Sequence, residues 1–282
     1  VGNDVNAGGF DAVVTKLDGE RNVMWTMMFG SAGDDFAEGL AVDFTGAIYV
    51  GVGSDSSMVV KIDGCGTEQW RKEVGTVSNE VGIDLAVGWE DLFVLSTTPG
   101  NGTYGSNTSY VSRYDGDGNL QWRQDLMLNF TGAPLVITAD RNGSSYVAGD
   151  AFAAVDADGN PIEQSGFLMK LNASGETAWI KHFGSSVDTA VKDAHVDMEG
   201  HVLVVGVTGV ESAPAVNASY LLDDAVVMPW AAGNSIGGLD IFVMKYLPDG
   251  VSSWSALIGT DGNATDGNEV VDAVHTDANG NV

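Results

Sequence analysis

The sequence predicts an all-β protein, a β-propeller of four-stranded antiparallel blades. Three observations lead to this prediction. A ten-residue phrase that begins with Lys or Arg and ends with Trp occurs five times, a second motif follows it at a nearly fixed distance, and apolar residues alternate around both. Internal repeats at intervals of roughly 40 to 50 residues, each with four short strands, are typical of propeller blades. The phrase occupies residues 16–25, 61–70, 113–122, 170–179 and 245–254.

The repeated phrase predicts a β-hairpin. Apolar residues alternate around its basic residue, as Val13 and Leu17 do around Lys16 in the first copy, and a period of two indicates a strand. The middle of the phrase is rich in Asp, Asn and Gly, which tolerate the positive φ of hairpin turns. The phrase therefore contains two strands and the turn between them.

A second hairpin completes each blade. Eighteen residues after the first four tryptophans come four-residue stretches that begin at residues 43, 88, 140 and 197, and β-branched or aromatic residues flank them. The fifth stretch, at residue 277, comes after an insertion of five residues. Two hairpins make one four-stranded sheet. No segment has a convincing helical period.

The repeats divide the chain into blades within a single propeller domain, residues 1–282. Full blades are predicted at about 37–75, 81–127, 133–184 and 189–259. Residues 8–30 supply the outer two strands of a further blade, and residues 269–282 begin an inner pair. We expect the chain to be a fragment of a longer polypeptide, in which these blades either close as a ring of five or belong to a larger propeller.

Residues 8–54, GGFDAVVTKLDGERNVMWTMMFGSAGDDFAEGLAVDFTGAIYVGVGS, resemble the SBBP (beta-propeller) repeat. The run GGLDIFVMKYLPDGVSSWSALIG from Gly237 resembles it too, whereas the copies from Ser57 and Ser109 have drifted. The resemblance implies an extracellular or cell-surface β-propeller with no catalytic residues to carry over. It leaves the function open, because propellers host many functions.

The composition is strongly acidic. There are 39 acidic and 12 basic residues, a net charge of −27 and a pI of about 4.1. Such a surface repels phosphate backbones and anionic lipids, so we expect neither nucleic-acid nor membrane-surface binding. No apolar run reaches the length of a membrane span. The acidity fits a protein that stays soluble in high salt or meets divalent cations.

Seven Asn-x-Ser/Thr sequons predict N-linked glycans and therefore a secreted protein. Turns are rich in Asn, Gly and Ser in any case, which raises accidental matches. The sequons lie at Asn101, Asn107, Asn129, Asn142, Asn172, Asn217 and Asn263.

The single cysteine, Cys65, lies in a predicted exposed turn. In an oxidising compartment it could form a disulfide with another chain or with a segment outside this sequence. The alternative is a thiol that the turn merely tolerates.

Three acidic turns are candidate calcium sites, although the chain is expected to require no cofactor. Alternate side-chain oxygens on a tight turn can converge on one hard cation. The alternative is that Asp and Gly serve the turn itself. The candidate ligands are Asp115, Asp117 and Asn119; Asp156, Asp158 and Asn160; and Asp261, Asn263 and Asp266.

The remaining candidates concern packing. The five repeated tryptophans, Trp25, Trp70, Trp122, Trp179 and Trp254, are expected to pack between blades. An insertion at residues 209–238 carries Met228 and Trp230 in an apolar stretch. We expect this stretch to contact a neighbouring domain or subunit. Alternatively it folds back over its own blade.

No familiar catalytic motif is present. A Gly-x-Ser-x-Gly elbow is absent, and one cysteine cannot supply the vicinal pair of a quinoprotein. The sequence therefore predicts that the chain is not an enzyme. The favoured function is a non-catalytic structural or interaction module of an extracellular assembly such as a filament, appendage, surface layer or adhesin. The alternative is a ligand- or carbohydrate-binding, lectin-like propeller, and a propeller enzyme is less favoured.

Overall fold

The secondary structure consists of strands joined by short turns. The computed structural model describes residues 8–53, 57–74, 81–98, 108–128, 131–152, 164–184, 189–209, 226–227, 239–259, 269–277 and 280–282. Every regular element among these residues is a strand, and none of them belongs to a helix long and apolar enough to cross a membrane. The chain divides into two compact units, Val1–Leu126 and Met127–Val282.

Unit 1 contains one two-stranded sheet and two four-stranded antiparallel sheets. In both larger sheets the strands lie side by side in chain order, as the two-hairpin repeat predicts. The strands are β1 (Ala12–Leu17) and β2 (Val23–Phe29); β3 (Phe36–Val42), β4 (Ile48–Gly53), β5 (Met58–Ile62) and β6 (Glu68–Glu73); and β7 (Val81–Val87), β8 (Leu92–Thr98), β9 (Thr108–Tyr114) and β10 (Leu120–Asp125).

Unit 2 contains two further sheets of the same design. They consist of β11 (Thr131–Ala139), β12 (Ser145–Phe152), β13 (Gln164–Leu171) and β14 (Thr177–Gly184); and of β15 (Thr189–Val196), β16 (Val202–Gly209), β18 (Leu239–Tyr246) and β19 (Ser252–Ile258). These sheets confirm the predicted fold class, an all-β chain of four-stranded propeller blades.

The described part of the insertion at residues 209–238 includes one short strand. This strand, β17 (Val226–Val227), pairs in parallel with the end of β14, where Phe183 faces Val226. Part of the insertion therefore extends the sheet that precedes it in the chain. Met228 and Trp230, the predicted contact residues, lie outside the described residues.

The hairpin turns that begin with Asp or Asn share one hydrogen-bond pattern, which fixes the strand register. In the β5–β6 turn, Asp63 Oδ1 accepts the backbone N–H groups of Cys65 and Thr67, both at 2.9 Å. Gly66 then has a φ of 87°, a left-handed conformation that glycine adopts without steric cost. The β1–β2 turn keeps these hydrogen bonds, but Arg21 holds the position of Gly66 with a φ of 69°.

The hydrophobic core lies between successive sheets. In unit 1, one cluster joins β1–β2 to β4 and β5, and a second joins that sheet to β7–β9. In unit 2, a cluster joins β11–β14 to β15, β16 and β18. Because each sheet presents apolar side chains on both pleat faces, it needs a neighbour on both sides to keep them from water.

Residues 269–277 form no strand, although the sequence predicts an inner strand there. A strand requires a hydrogen-bonded ladder, and this segment packs instead through side chains. Val271 and Val274 contact a cluster of Leu203, Val205 and Val243 on β16 and β18. At the end of this segment the backbone N–H of Asp277 donates to Asn281 O at 3.0 Å.

Candidate functional site

Each repeated phrase places its basic residue and its tryptophan opposite one another on two paired strands. In the first copy Lys16 on β1 is the register partner of Trp25 on β2. The separation of nine residues is therefore the length of chain needed to cross the hairpin turn. The pairing recurs for Lys61 with Trp70, Lys170 with Trp179 and Lys245 with Trp254.

The two paired side chains donate hydrogen bonds to a single carbonyl of the next sheet. Lys16 Nζ and Trp25 Nε1 lie 2.8 and 3.3 Å from Gly64 O, in the β5–β6 turn. A carbonyl oxygen has two lone pairs and can accept both donors. We call this arrangement the Lys–Trp clamp. It recurs from Lys61 and Trp70 to Gly116 O, at 2.8 and 3.1 Å, and from Lys170 and Trp179 to Pro248 O, at 3.0 and 3.3 Å.

The clamp also explains why the turn that supplies the accepting carbonyl ends in glycine. A Cβ added to Gly66 would lie 2.9 Å from Trp25 Cγ, closer than carbon atoms pack. The backbone of this turn must therefore approach the indole without a side chain. At Gly118 and Gly250 an added Cβ would come within 3.1 Å of Trp70 and 3.0 Å of Trp179.

The Lys–Trp pair on β18 and β19 has a different environment. Lys245 Nζ forms an ion pair with Asp197 Oδ2 at 2.7 Å, and both side chains are largely shielded from solvent. Although burial raises the pKa of Asp197, hydrogen bonds from Lys245 and His201 outweigh it and lower the pKa to about 2. Trp254 is 40% exposed, whereas Trp25, Trp70 and Trp179 are half-buried.

Asp197, Glu199 and His201 form an acidic cluster that the sequence analysis missed, although the spacing Asp-x-Glu-x-His could have indicated it. Their potential ligand atoms lie within 4.8 Å of one another. Asp197 already accepts the N–H groups of Glu199 and His201, His201 Nδ1 at 2.9 Å, and the Lys245 ammonium group. A cation would have to displace that ammonium group, so the geometry favours a hairpin turn stabilised by an ion pair.

An apolar face of unit 1 is open to solvent where the equivalent positions of later sheets are buried. Leu17, at the end of β1, is 50% exposed, and Leu40, on β3, is 57% exposed. We use the name leading face for these exposed apolar residues, which are Val13 and Leu17 on β1 and Phe36, Leu40 and Val42 on β3. Residues equivalent to Leu17 are at most 7% exposed: Ile62, Tyr114, Leu171 and Tyr246. Residues equivalent to Leu40 are at most 6% exposed: Leu85, Ile137 and Ala194.

Two aromatic side chains form an exposed pair at the tips of neighbouring hairpins in unit 1. Phe44, in the β3–β4 turn, and Trp89, in the β7–β8 turn, stack with ring centroids 4.4 Å apart and an interplanar angle of 14°. Both rings are about half exposed. Each ring therefore keeps an outer surface available for stacking with a flat or cyclic ligand.

Among the predicted calcium ligands, only those of the β9–β10 turn are described. Asp115 Oδ1 accepts the backbone N–H groups of Asp117 and Asn119, while its Oδ2 accepts the side chains of Asn119 and Gln121. The hydrogen bonds from Asn119 lower the pKa of Asp115. These oxygens therefore hold the turn together. The predicted calcium ligands at residues 156–160 and 261–266 lie outside the described residues.

Two of the predicted sequons are described, and they differ in environment. Asn142 is exposed in the β11–β12 turn. Asn172 takes the place that aspartate holds in other turns, since its Oδ1 accepts the N–H groups of Ser174 and Glu176 and its Nδ2 donates to Glu176 Oε2 at 3.1 Å. Its amide nitrogen is thus already engaged. The sequons at Asn101, Asn107, Asn129, Asn217 and Asn263 lie outside the described residues.

Cys65 is a free, exposed thiol in the β5–β6 turn. Its backbone N–H caps Asp63 in the same way as other residues at this turn position. The turn therefore requires nothing of the sulfur atom. A disulfide with another chain stays a prediction.

No family model matches the chain, and no curated protein does either, so the SBBP resemblance also stays a prediction. Solved structures with similar folds include a protein of unknown function from Bacteroides caccae, with 10% identity, a TM-score of 0.43, and coverage of 90% of this chain and 92% of that one. An endo-arabinase from Bacteroides thetaiotaomicron has 10% identity and a TM-score of 0.43, over 79% of this chain and 93% of the arabinase. A polysaccharide lyase, an ulvan lyase, has 10% identity and a TM-score of 0.42, over 79% and 58%.

The enzymes among these structures contradict the prediction that the chain is not an enzyme. That prediction relied on the lack of a familiar local motif. Catalytic groups on a propeller come from loops of different blades, which are far apart in the sequence. The missing motif therefore does not exclude catalysis.

Proposed function

We propose that this chain is an interaction module of an extracellular or cell-surface assembly, such as a filament, appendage, surface layer or adhesin. In this proposal the blades form a scaffold and one blade face makes the contact with a partner protein. Membership of the SBBP repeat group, suggested by residues 8–54, is part of the same proposal.

The extracellular location is supported by composition and sequons. The net charge of −27 suits a protein kept apart from other acidic macromolecules by repulsion. Asn142 projects from an exposed turn, where an oligosaccharide meets no steric obstacle. Peptide mapping of material from the natural source should find a glycan on Asn142.

The leading face is the single observation that carries the interaction role. Its leucines are open to water at positions that every later sheet buries, and exposed apolar surface marks protein contacts. Charged or polar residues would be more favourably solvated on a face that always contacts water. The face therefore has the composition of an interface.

The mass of the native particle tests this proposal. Material from the natural source, measured by light scattering, should form particles several times heavier than one chain. Leu40→Asp places a charge among the leading-face residues of β3 and should reduce particle mass, while Met198→Asp, a change at an exposed turn residue, should not. Unchanged particles from the Leu40 variant would contradict the proposal.

The stacked pair Phe44 and Trp89 favours a second candidate, carbohydrate binding. Sugar rings pack their C–H faces against exposed aromatic surfaces, and this pair offers two such surfaces on adjacent turns. Glycan arrays and tryptophan fluorescence titrations should then report a ligand for the wild type, with binding lost in Trp89→Ala. Equal binding by wild type and variant would reject this candidate.

A further inference from the structure

The stacked rings of Phe44 and Trp89 have an exposed carboxylate as a neighbour in the chain. Phe44 is 59% exposed and Trp89 is 47% exposed. Glu90 follows Trp89 in the β7–β8 turn and is exposed as well. We use the name Trp89 site for Phe44, Trp89 and Glu90. The site presents aromatic surface and negative charge together, and both are open to solvent.

The chain holds its own basic side chains with the same two kinds of group. The guanidinium carbon of Arg113 lies 5.8 Å from the ring centroid of Phe93, and Arg113 pairs with Asp91 Oδ2 at 2.6 Å. A cation within about 6 Å of a ring centroid is attracted by the face of the ring. Lysines in two other sheets have the same kinds of partner: Lys61 with Tyr49 and Asp43, and Lys170 with Tyr146 and Asp140.

Arg123 shows how closely a guanidinium group stacks on an aromatic ring of this chain. Its guanidinium carbon lies 3.4 Å from the ring centroid of Tyr110. A guanidinium group is planar and weakly hydrated, so it stacks on a ring, whereas an ammonium group is a compact and strongly hydrated charge. The rings of Phe44 and Trp89 are nearly parallel, at 14°, and their exposed surfaces suit a further planar group.

The charges around the Trp89 site favour a positively charged ligand. The clamps and the stacked rings bring the turns that follow β1, β3, β5, β7 and β9 to one end of unit 1. Among the described residues of these turns, the exposed acidic ones are Asp18, Glu20, Glu90 and Asp117, and the exposed basic one is Arg21. A surface with this excess of negative charge attracts cations and repels anions.

We propose that the Trp89 site binds an arginine side chain from a basic segment of a partner protein. The guanidinium group stacks on the exposed aromatic surface and donates hydrogen bonds to the Glu90 carboxylate. Arginine meets both requirements, because its charged group is also planar. This inference rests on the proposed function as an interaction module and gives the chemistry of the partner. An amino sugar is the competing ligand, since its ring also packs on aromatic surface.

NMR titration of the 282-residue chain with an acetylated and amidated peptide of three Arg-Gly repeats tests the proposal. The indole N–H signal that is missing from Trp89→Ala identifies Trp89 in the wild type. The peptide should shift this signal saturably, and its affinity should fall as salt is added, because the attraction is screened. A peptide of three Lys-Gly repeats should bind severalfold more weakly, since an ammonium group does not stack. Equal affinity for the two peptides would overturn the stacked geometry.

Variants that each remove one part of the site should weaken binding of the arginine peptide. Shifts of the peptide's own arginine signals report binding to every variant. Trp89→Ala and Glu90→Gln should each weaken binding about tenfold, the effect of losing the stack or the charge-assisted hydrogen bonds. Phe44→Ala should weaken it about threefold, because the indole remains. Unchanged affinity in Trp89→Ala or Glu90→Gln would overturn the proposal.

Two control variants separate the Trp89 site from the general acidity of the chain. Met198→Ala changes an exposed apolar residue at the equivalent turn position in unit 2, where Glu199 follows it. Glu20→Gln removes an exposed charge from the same end of unit 1. Both should bind the peptide as the wild type does, and circular dichroism establishes that each variant is folded. If Glu20→Gln lost as much affinity as Glu90→Gln, the peptide would be following overall charge, and the site would be rejected.

Oligosaccharides separate arginine from a sugar as the ligand. Hexamers of β-linked glucosamine and of β-linked glucose are titrated under the same conditions. The arginine peptide should bind more tightly than either hexamer. A glucosamine hexamer that bound more tightly, and lost affinity in Trp89→Ala, would overturn the arginine proposal and support carbohydrate binding. A wild type that bound none of these probes would reject the site altogether.

These titrations and the particle-mass measurement can fail separately. If Leu40→Asp reduced particle mass but the arginine peptide did not bind, the assembly role would stand and the Trp89 site would be rejected. If the peptide bound as expected but native material were monomeric, the Trp89 site would stand and the assembly role would be rejected.

Discussion

The hairpins β1–β2 and β5–β6 have nearly the same sequence pattern but different surroundings. Both carry a Lys–Trp pair that clamps the following sheet. They differ on the opposite pleat face, where Ile62 is fully buried and Leu17 is half exposed. The β5–β6 turn is closed by Gly66, and the β1–β2 turn is closed by Arg21.

This comparison shows that an apolar pleat face does not specify whether it will be covered. Leu17 and Ile62 have the same chemistry and the same place in the repeat, and the neighbouring sheet alone distinguishes them. The two hairpins should therefore differ most when the same substitution is made separately at an exposed position and at its buried counterpart.

Aspartate substitutions should separate the two faces most strongly. Ile62→Asp buries an unpaired carboxylate and should destabilise unit 1 by about 4 kcal/mol. Leu17→Asp leaves the carboxylate in water and should cost about 0.5 kcal/mol or less. Urea denaturation followed by circular dichroism measures both changes. Similar losses for the two variants would show that Leu17 is covered in solution.

Removing an indole should distinguish a filled clamp from an open one. Trp25→Ala removes packing and a hydrogen bond, so we expect a loss of about 3 kcal/mol. Trp254→Ala at low protein concentration should cost about 1 kcal/mol, since its ring is partly solvated. Thermal denaturation provides the measurement. Equal costs would contradict the difference drawn between the two tryptophans.

Exchanging the turn residues should have opposite effects on the two hairpins. Arg21→Gly relieves a positive φ and should stabilise unit 1 by up to about 1 kcal/mol. Gly66→Arg imposes that φ on a side chain and places a Cβ against Trp25, so it should destabilise unit 1 by about 2 kcal/mol. Urea midpoints for both variants test the pair, and stabilisation by Gly66→Arg would be inconsistent with the clamp.

Acid should weaken the packing of residues 269–277 against β16 and β18, which is intact at neutral pH. Burial, and secondarily the nearby His275, lower the pKa of His195, while Asp193 and Asp197 oppose this shift. His195 Nε2 lies 3.1 Å from Thr276 Oγ1 and so helps to hold residues 269–277 in place. Since the folded-state pKa lies below the unfolded value, the unfolded state binds more protons as the pH falls below about 6.5, and stability declines.

Hydrogen exchange of residues 269–277, corrected for intrinsic rates, measures this decline. Protection should be high at pH 7.5 and lower at pH 5.5 in the wild type. His195→Gln cannot be protonated in this range and should lose most of the pH dependence. A wild type with equal protection at both pH values would exclude this effect of His195.

The strands were predictable because their signals are local. Alternation around Lys61 and a turn that needs Gly66 specify a hairpin without reference to the rest of the fold. The clamp was not predictable in the same way. Its acceptor, Gly64 O, lies 48 residues from Lys16 and becomes adjacent only when sheets stack. The exposure of Leu17 likewise depends on a neighbour rather than on the residue itself.

In the candidate site, too, local features could be predicted from the sequence and contacts between sheets could not. The sequence indicated that the tryptophans pack between blades but could not identify which carbonyl each one contacts. It left Asp115 open as either a calcium ligand or a turn residue, and in the structure Asp115 directs its oxygens at donors of its own turn. Aspartates that cap a turn and aspartates that bind a cation occur in the same sequence pattern, so the sequence alone does not distinguish them.

Each Lys–Trp clamp extends from one sheet to the next sheet only, and this affects how such a chain can evolve. Each clamp depends on its own hairpin and on a single backbone carbonyl next door, and a backbone carbonyl is supplied by any residue. Stability then accumulates from nearest-neighbour terms. Duplication or deletion of a gene segment can therefore add or remove a whole blade while the other blades keep their contacts. A harmful substitution affects only the two contacts that its own blade makes with its neighbours.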